Sequence, residues 1–226
     1  MIEVKNLSKK FGIKEVLKNI NLKFDEGNVY GIVGENGAGK TTLFRCIAGL
    51  EEYEGEIIAN LNPLKNYIGL LLPEPYFFSK ITGKEYIQLL CNARNIKITD
   101  IEKRNIFNLP LNQYASTYST GMKKKLALTA VLLLQNEYFI FDEPFNGIDI
   151  QSNIVITEII HHLKNIGKTV IISSHIFSTL NDTCNEIHLL SNGNIVKSVH
   201  KENFLELELE IKKVIIGNQI EKLDLK

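Results

Sequence analysis

Residues Gly34-Glu35-Asn36-Gly37-Ala38-Gly39-Lys40-Thr41 fit the spacing G-x-x-x-x-G-K-S/T. No other stretch restricts the fold as much, because the pattern works only between a buried strand and the start of a helix. The apolar run Val29–Val33 reads as that strand, and Thr42 to Leu50 has helical spacing. A glycine-rich turn there points successive backbone N–H groups at one anion, and the helix adds its positive end. A triphosphate, whose charges repel one another and hold water tightly, is the anion such a cradle suits. Gly34, Asn36, Gly37, Ala38, Gly39, Lys40, Thr41 and Thr42 are therefore expected to hold a nucleotide. Lys40 would reach the β- and γ-phosphates, and the Thr41 hydroxyl would hold Mg²⁺.

The rest of the chain reads as α/β. Residues 2–7 and 16–24 are strand-like, with Lys14-Glu15 in the polar connection. Gly55–Ala59 and Tyr67–Leu72 follow as strands, then a mostly helical insertion over about 79–135, including helical spacing from Ile101 to Phe107. Strands return at Tyr138–Phe141 and Thr169–Ser173, with a crossover helix Asn153–Lys164 between them. Glu186–Leu190 and Ile195–Val199 read as a hairpin, and the tail 201–226 alternates weakly before mixing charged and apolar residues. The 226 residues have zero formal net charge, so no basic field points to nucleic acid as a partner. No apolar run reaches the ~20 residues that span a bilayer, and Met1-Ile2-Glu3-Val4 does not read as a signal peptide. Cys46, Cys91 and Cys184 are odd in number and far apart, which fits buried reduced thiols.

Chemistry is expected at five further places. Phe11 would stack on an adenine face or end its strand as a core aromatic. Ser119 and Gly121 open a helix and mark an anion site or an ordinary cap. Lys123-Lys124-Lys125 oppose that helix's dipole, which favours a nearby anion or a partner surface. Asp142 and Glu143 end the strand Phe139-Ile140-Phe141: Asp142 would hold Mg²⁺ through water, and Glu143 would act as general base, the alternative being a solvated acidic turn. Asp149 contacts a neighbouring subunit or caps the next helix. His175, after Ser173-Ser174, would donate a hydrogen bond to a γ-phosphate oxygen, although a lone histidine is usually structural.

In order and spacing, residues 34–41, Tyr118-Ser119-Thr120-Gly121-Met122, Asp142-Glu143, Asp149 and His175 resemble an ABC transporter ATP-binding subunit, from Phe11 to about residue 200. The resemblance implies one ABC ATP-binding domain over 1–226. Its fold would be a P-loop NTPase, RecA-like α/β core with an N-terminal antiparallel β subdomain and an inserted α-helical subdomain. It also implies ATP and Mg²⁺ as cofactors, and two cassettes that face each other head to tail. ATP at Gly34–Thr42 of one cassette would be completed by Ser119 and Gly121 of the other. A separate transmembrane permease subunit would be driven from the cytoplasmic face of the membrane.

The chain departs from the family pattern in three places. Its signature usually reads L-S-G-G-Q; Tyr118, Thr120 and Met122 replace three of those residues, a form that resembles the exporter branch of multidrug, bacteriocin and antibiotic-resistance cassettes. The coupling-loop glutamine is replaced by Pro73, with Glu74 beside it as a substitute metal or water ligand. The adenine-stacking residue is Phe11 rather than tyrosine. Tyr76-Phe77-Phe78 lies where the family meets its membrane subunit, and reads as a partner contact or as a buried aromatic cluster. A soluble regulatory ATPase and a low-turnover ATP-binding gating module are the competing functions.

Overall fold

A computed structural model describes residues 1–216, with side chains to residue 213. Strands β1 (Ile2–Phe11) and β2 (Lys14–Phe24) form an antiparallel hairpin, and β4 (Glu54–Ala59) joins the free edge of β1. Lys14 and Glu15 lie in β2 rather than in a connection. Gly12, at φ +57°, shortens the turn to two residues. Val4, Leu7, Leu17, Ile20 and Leu22 face inward and are buried, with irregularities in the pairing between Val4 and Leu7 and between Leu17 and Ile20 adding one residue to the period of two. Each such aliphatic side chain contributes about 1.5–3 kcal/mol by leaving water.

The second sheet carries the site. Its strands are β3 (Val29–Val33), β5 (Ile68–Leu71), β6 (Tyr138–Asp142), β7 (Thr169–Ser173), β8 (Glu186–Ser191) and β9 (Asn194–His200). They run in the order β5-β6-β7-β3-β8-β9, parallel except for β9. Every residue of β3, β6 and β7 is buried, as expected for central parallel strands covered on both faces. Helix α1 (Lys40–Ile47) packs with the small sheet on one face. On the other lie parts of α3 (Thr120–Leu133), α4 (Ile150–Asn165) and α5 (Phe177–Thr183).

The insertion is less helical than expected. Helix α2 (Gly83–Ala93) and α3 frame it, but Ile101–Phe107 holds only one 3₁₀ turn, Ile101–Arg104. Left-handed Asp100 and Asn108 bracket that stretch. Asn105 satisfies Leu109 with both ends of its side-chain amide, at 2.8 and 2.9 Å, and so replaces helical hydrogen bonding. Helix α3 belongs to two cores: Leu126 and Ala130 face the insertion, while Ala127, Leu128 and Val131 face the sheet.

The tail also differs from expectation. Its described part forms α6 (Phe204–Ile216), with Phe204 and Leu207 buried and Ile211 against the same core. The spacing i, i+3, i+7 is helical, and the weak alternation was an accident of glutamates between leucines. The remaining tail, 217–226, lies outside the described residues.

Candidate functional site

The phosphate-binding pattern forms the turn from β3 into α1. Gly37 at φ +82° and Gly39 at φ +113° take backbone conformations closed to other residues without strain. Gly34 has no room for a side chain either, since a Cβ there would stand 2.2 Å from the Leu190 carbonyl oxygen. Gly39 is the N-cap of α1 and offers no side-chain cap, so the first-turn amides have no acceptor within the helix. Asn36 and Gly37 are exposed, Ala38, Gly39 and Lys40 are buried, and Thr42 is half-buried in the first turn. The Lys40 ammonium donates to the carbonyls of Gly34 (2.6 Å) and Glu35 (3.1 Å). Burial pulls its pKa down, while Glu143 and Asp142 act the other way.

Asp142 and Glu143 arrive from the C-terminal end of β6. Asp142 accepts from the Thr41 hydroxyl through Oδ2 at 2.5 Å and from the Ser173 hydroxyl through Oδ1 at 2.6 Å. The adjacent Thr41 and Asp142 oxygens suit Mg²⁺, which takes one or two protein oxygens beside phosphate and water. Glu143 is a non-glycine residue at φ +51°, a strain of about 1–3 kcal/mol of the kind found at reactive sites. Its N–H donates to Ser173 Oγ at 2.9 Å, and its Oε2 accepts from the His175 N–H at 3.3 Å. His175 Nε2 lies 2.9 Å from Oε1, yet Oε1 has no aligned hydrogen-bond donor. Burial raises the Glu143 pKa, opposed by His175 and Lys40. The carboxylate is thus buried, oriented, and left with one free oxygen.

The structure brings Gly34–Thr42, Asp142, Glu143 and His175 to one edge of the large sheet, at the ends of β3, β6 and β7. Ser119 and Gly121 sit elsewhere, at the exposed start of α3. Ser119 Oγ caps that helix by accepting from Met122 N at 3.2 Å, and Gly121 lies against the Gly147 carbonyl. Tyr118 is buried and donates its hydroxyl to Pro110 O at 2.7 Å, over Gly83, where a Cβ would stand 2.6 Å from the tyrosine hydroxyl oxygen. This inward anchor accounts for the tyrosine in the signature.

Asp149 caps α4: Oδ1 accepts from Ser152 N at 2.9 Å, and Oδ2 pairs with Lys125 at 3.0 Å. Those partners, the Ser152 amide first, hold its carboxyl far below the usual range. Phe11 is exposed at the hairpin tip, with the Lys9 ammonium 4.7 Å from its ring centre. Glu74 is exposed, and its charge acts on Lys124 together with those of Glu143 and Asp142. Of the three adjacent aromatics, Phe77 turns in onto Tyr86 at 4.5 Å, whereas Tyr76 and Phe78 remain exposed.

Two residues gain roles the sequence did not reveal. Ser173 joins Asp142 and Glu143, and its signal was only its place before His175. Lys124 is buried, and its Nζ donates to the carbonyls of Glu143 (2.9 Å) and Asn146 (2.7 Å). Lys125 reaches Asp149. The mismatch of three lysines with the helix dipole was a real signal, but for Lys124 and Lys125 its resolution is internal rather than an outside anion or partner.

The family described as ABC transporter matches residues 17–146. The chain is 31% identical to the bacitracin transport ATP-binding protein BcrA of Enterococcus faecalis, over 93% of this chain and 74% of that one. It is 32% identical to the ABC transporter ATP-binding protein NatA of Bacillus subtilis, over 92% and 93%. It is 31% identical to the methionine import ATP-binding protein MetN of Clostridium acetobutylicum, over 95% and 74%. A solved ATP-binding subunit of an ABC transporter superposes with a TM-score of 0.80 at 25% identity, covering 93% of each chain.

Proposed function

The chain belongs to the ABC transporter family as an ATP-binding subunit, and on that footing we propose that it powers export through a separate membrane subunit, working as a pair of cassettes at the cytoplasmic face. Its enzymatic activity is ATP hydrolysis. The observation that carries the site assignment is Glu143, a buried residue beside the Lys40 loop whose N–H is held by Ser173 and whose carboxylate is held by the His175 amide through one oxygen, with the other oxygen free.

Loop amides and the α1 N-terminus bind the phosphates, and Lys40 exchanges its loop carbonyls for β- and γ-phosphate oxygens. Thr41 and Asp142 would hold Mg²⁺, which would supply charge neutralisation to the phosphates. Glu143 Oε1 accepts a proton from the attacking water; burial, by raising its pKa, makes it a better base near neutral pH. His175 donates from Nε2 to a γ-phosphate oxygen. Phe11 offers its exposed ring to adenine. Ser119 and Gly121, at the start of α3 rather than in this cluster, close over the nucleotide of a second cassette.

A cavity of about 540 Å³ between α1, β5, α2 and α3 includes Leu50, Leu70, Tyr76, Tyr86 and Leu90 in its wall. Its apolar wall and exposed Tyr76 fit an inserted helix of the membrane subunit. Among the described residues no helix is long and apolar enough to cross a membrane. The Tyr118–Met122 form supports export. Relatives named for bacitracin transport and for methionine import are equally similar, so identity alone does not set direction.

In the Glu143→Gln variant we expect turnover to fall by about 10²–10⁴-fold with ATP binding kept, and an ATP-bound dimer to accumulate in sedimentation. Retained phosphate release would remove Glu143 as the base. A monomer with ATP bound would remove the pairing. Substrate movement out of vesicles or into them, with the membrane subunit assembled, decides direction.

A further inference from the structure

Lys124 is an ammonium at only 2% exposure, just past the first turn of a helix and near the end whose dipole disfavours a cation. Its two acceptors, Glu143 O and Asn146 O, bracket the turn that leaves β6, and Asn146 N also donates to Glu143 O at 3.3 Å. Glu143 is therefore held at its N–H by Ser173, at its carboxylate by the His175 amide, and at its carbonyl by Lys124. A left-handed residue reverts to commoner backbone regions when such restraints are released. We infer that Lys124 is a positioning residue for hydrolysis: its ammonium fixes the peptide from which Glu143 projects and ties that peptide to the helix that Ser119 caps. The inference rests on reading Glu143 as the general base.

Lys124 touches neither nucleotide nor water in this scheme, so its removal should slow the chemical step and spare binding. In the full chain, Lys124→Met should lower kcat about tenfold or more while KM and Mg·ATP affinity stay within about twofold. Lys124→Gln keeps N–H donors on a shorter arm that reaches one carbonyl, and should lose about threefold, ranking between the unsubstituted chain and Lys124→Met. In a Glu143→Gln background, followed by single-turnover cleavage, adding Lys124→Met should cost less than about twofold more, because the effect passes through the missing base. A Lys124→Met chain that melts normally and turns over within twofold, a Lys124→Gln chain at full rate, or an undiminished loss in the Glu143→Gln background overturns the inference. Should Lys124→Met fail to fold, the Lys124→Gln rate decides alone. Failure of the underlying reading looks different, since Glu143→Gln itself would then keep its turnover.

Discussion

Helices α1 and α2 begin in opposite ways. At α2, Thr82 accepts from Glu85 N at 3.2 Å, and Glu85 accepts from Thr82 N at 2.8 Å, so two backbone donors at the helix start are satisfied within the element. At α1, the cap is a left-handed glycine, the first turn holds no acidic residue, and the one buried charge is a lysine. The first arrangement stabilises a helix. The second leaves donors and a positive end facing outward, which makes sense when an anion completes them. A helix start without a cap, on left-handed glycines, is thus a sign of binding rather than of poor construction.

The largest effect should come from Lys40. Lys40→Ala should weaken ATP binding by about 100-fold or more in a nucleotide titration, since it removes charge-assisted bonds to phosphate. An unchanged affinity would erase the contrast between the two helices. Next, Thr82→Ala should cost about 1 kcal/mol in urea unfolding and leave ATP affinity within about twofold. A loss of nucleotide binding there would show that the capping box at α2 is not purely structural.

The smallest effects should separate two glutamates by sign. Burial raises the Glu143 pKa, so the folded chain holds that proton more tightly than the unfolded one, and the stability so gained is lost as pH rises through the raised value. Glu143→Gln should therefore make the chain more stable at pH about 7, with the gain fading in acid. Thr82 hydrogen bonds lower the Glu85 pKa, so its contribution is present at neutral pH and lost as pH falls through the lowered value. Glu85→Gln should destabilise the chain at neutral pH and cease to do so in acid. Unfolding curves at two pH values check both, and equal signs would refute the assignment.

Legibility followed distance along the chain. The phosphate loop was readable because backbone amides must come from consecutive residues, and Asp142-Glu143 because a strand end presents neighbours together. His175 was readable from its strand. Lys124 was not, because its acceptors lie 19 and 22 positions further on and are backbone carbonyls, which carry no residue code. Asp149 was left between two roles that differ only in tertiary neighbours. The turn over Ile101–Phe107 misled because apolar spacing survives where left-handed residues and an asparagine side chain have replaced the helix. In α6 the glutamates hid a helical period that packing onto the sheet selects.

Helix α3, claimed by two cores at once, leaves only Thr120 exposed over its whole length, whereas Glu85, Gln88, Leu89, Asn92 and Ala93 of α2 face solvent. Sequence drift should thus be slow along the first helix and brisk along the second. A designer wishing to add labels, charges or linkers to this cassette would find free positions at Gln88, Leu89 and Asn92 of α2, leaving Glu85 to its cap.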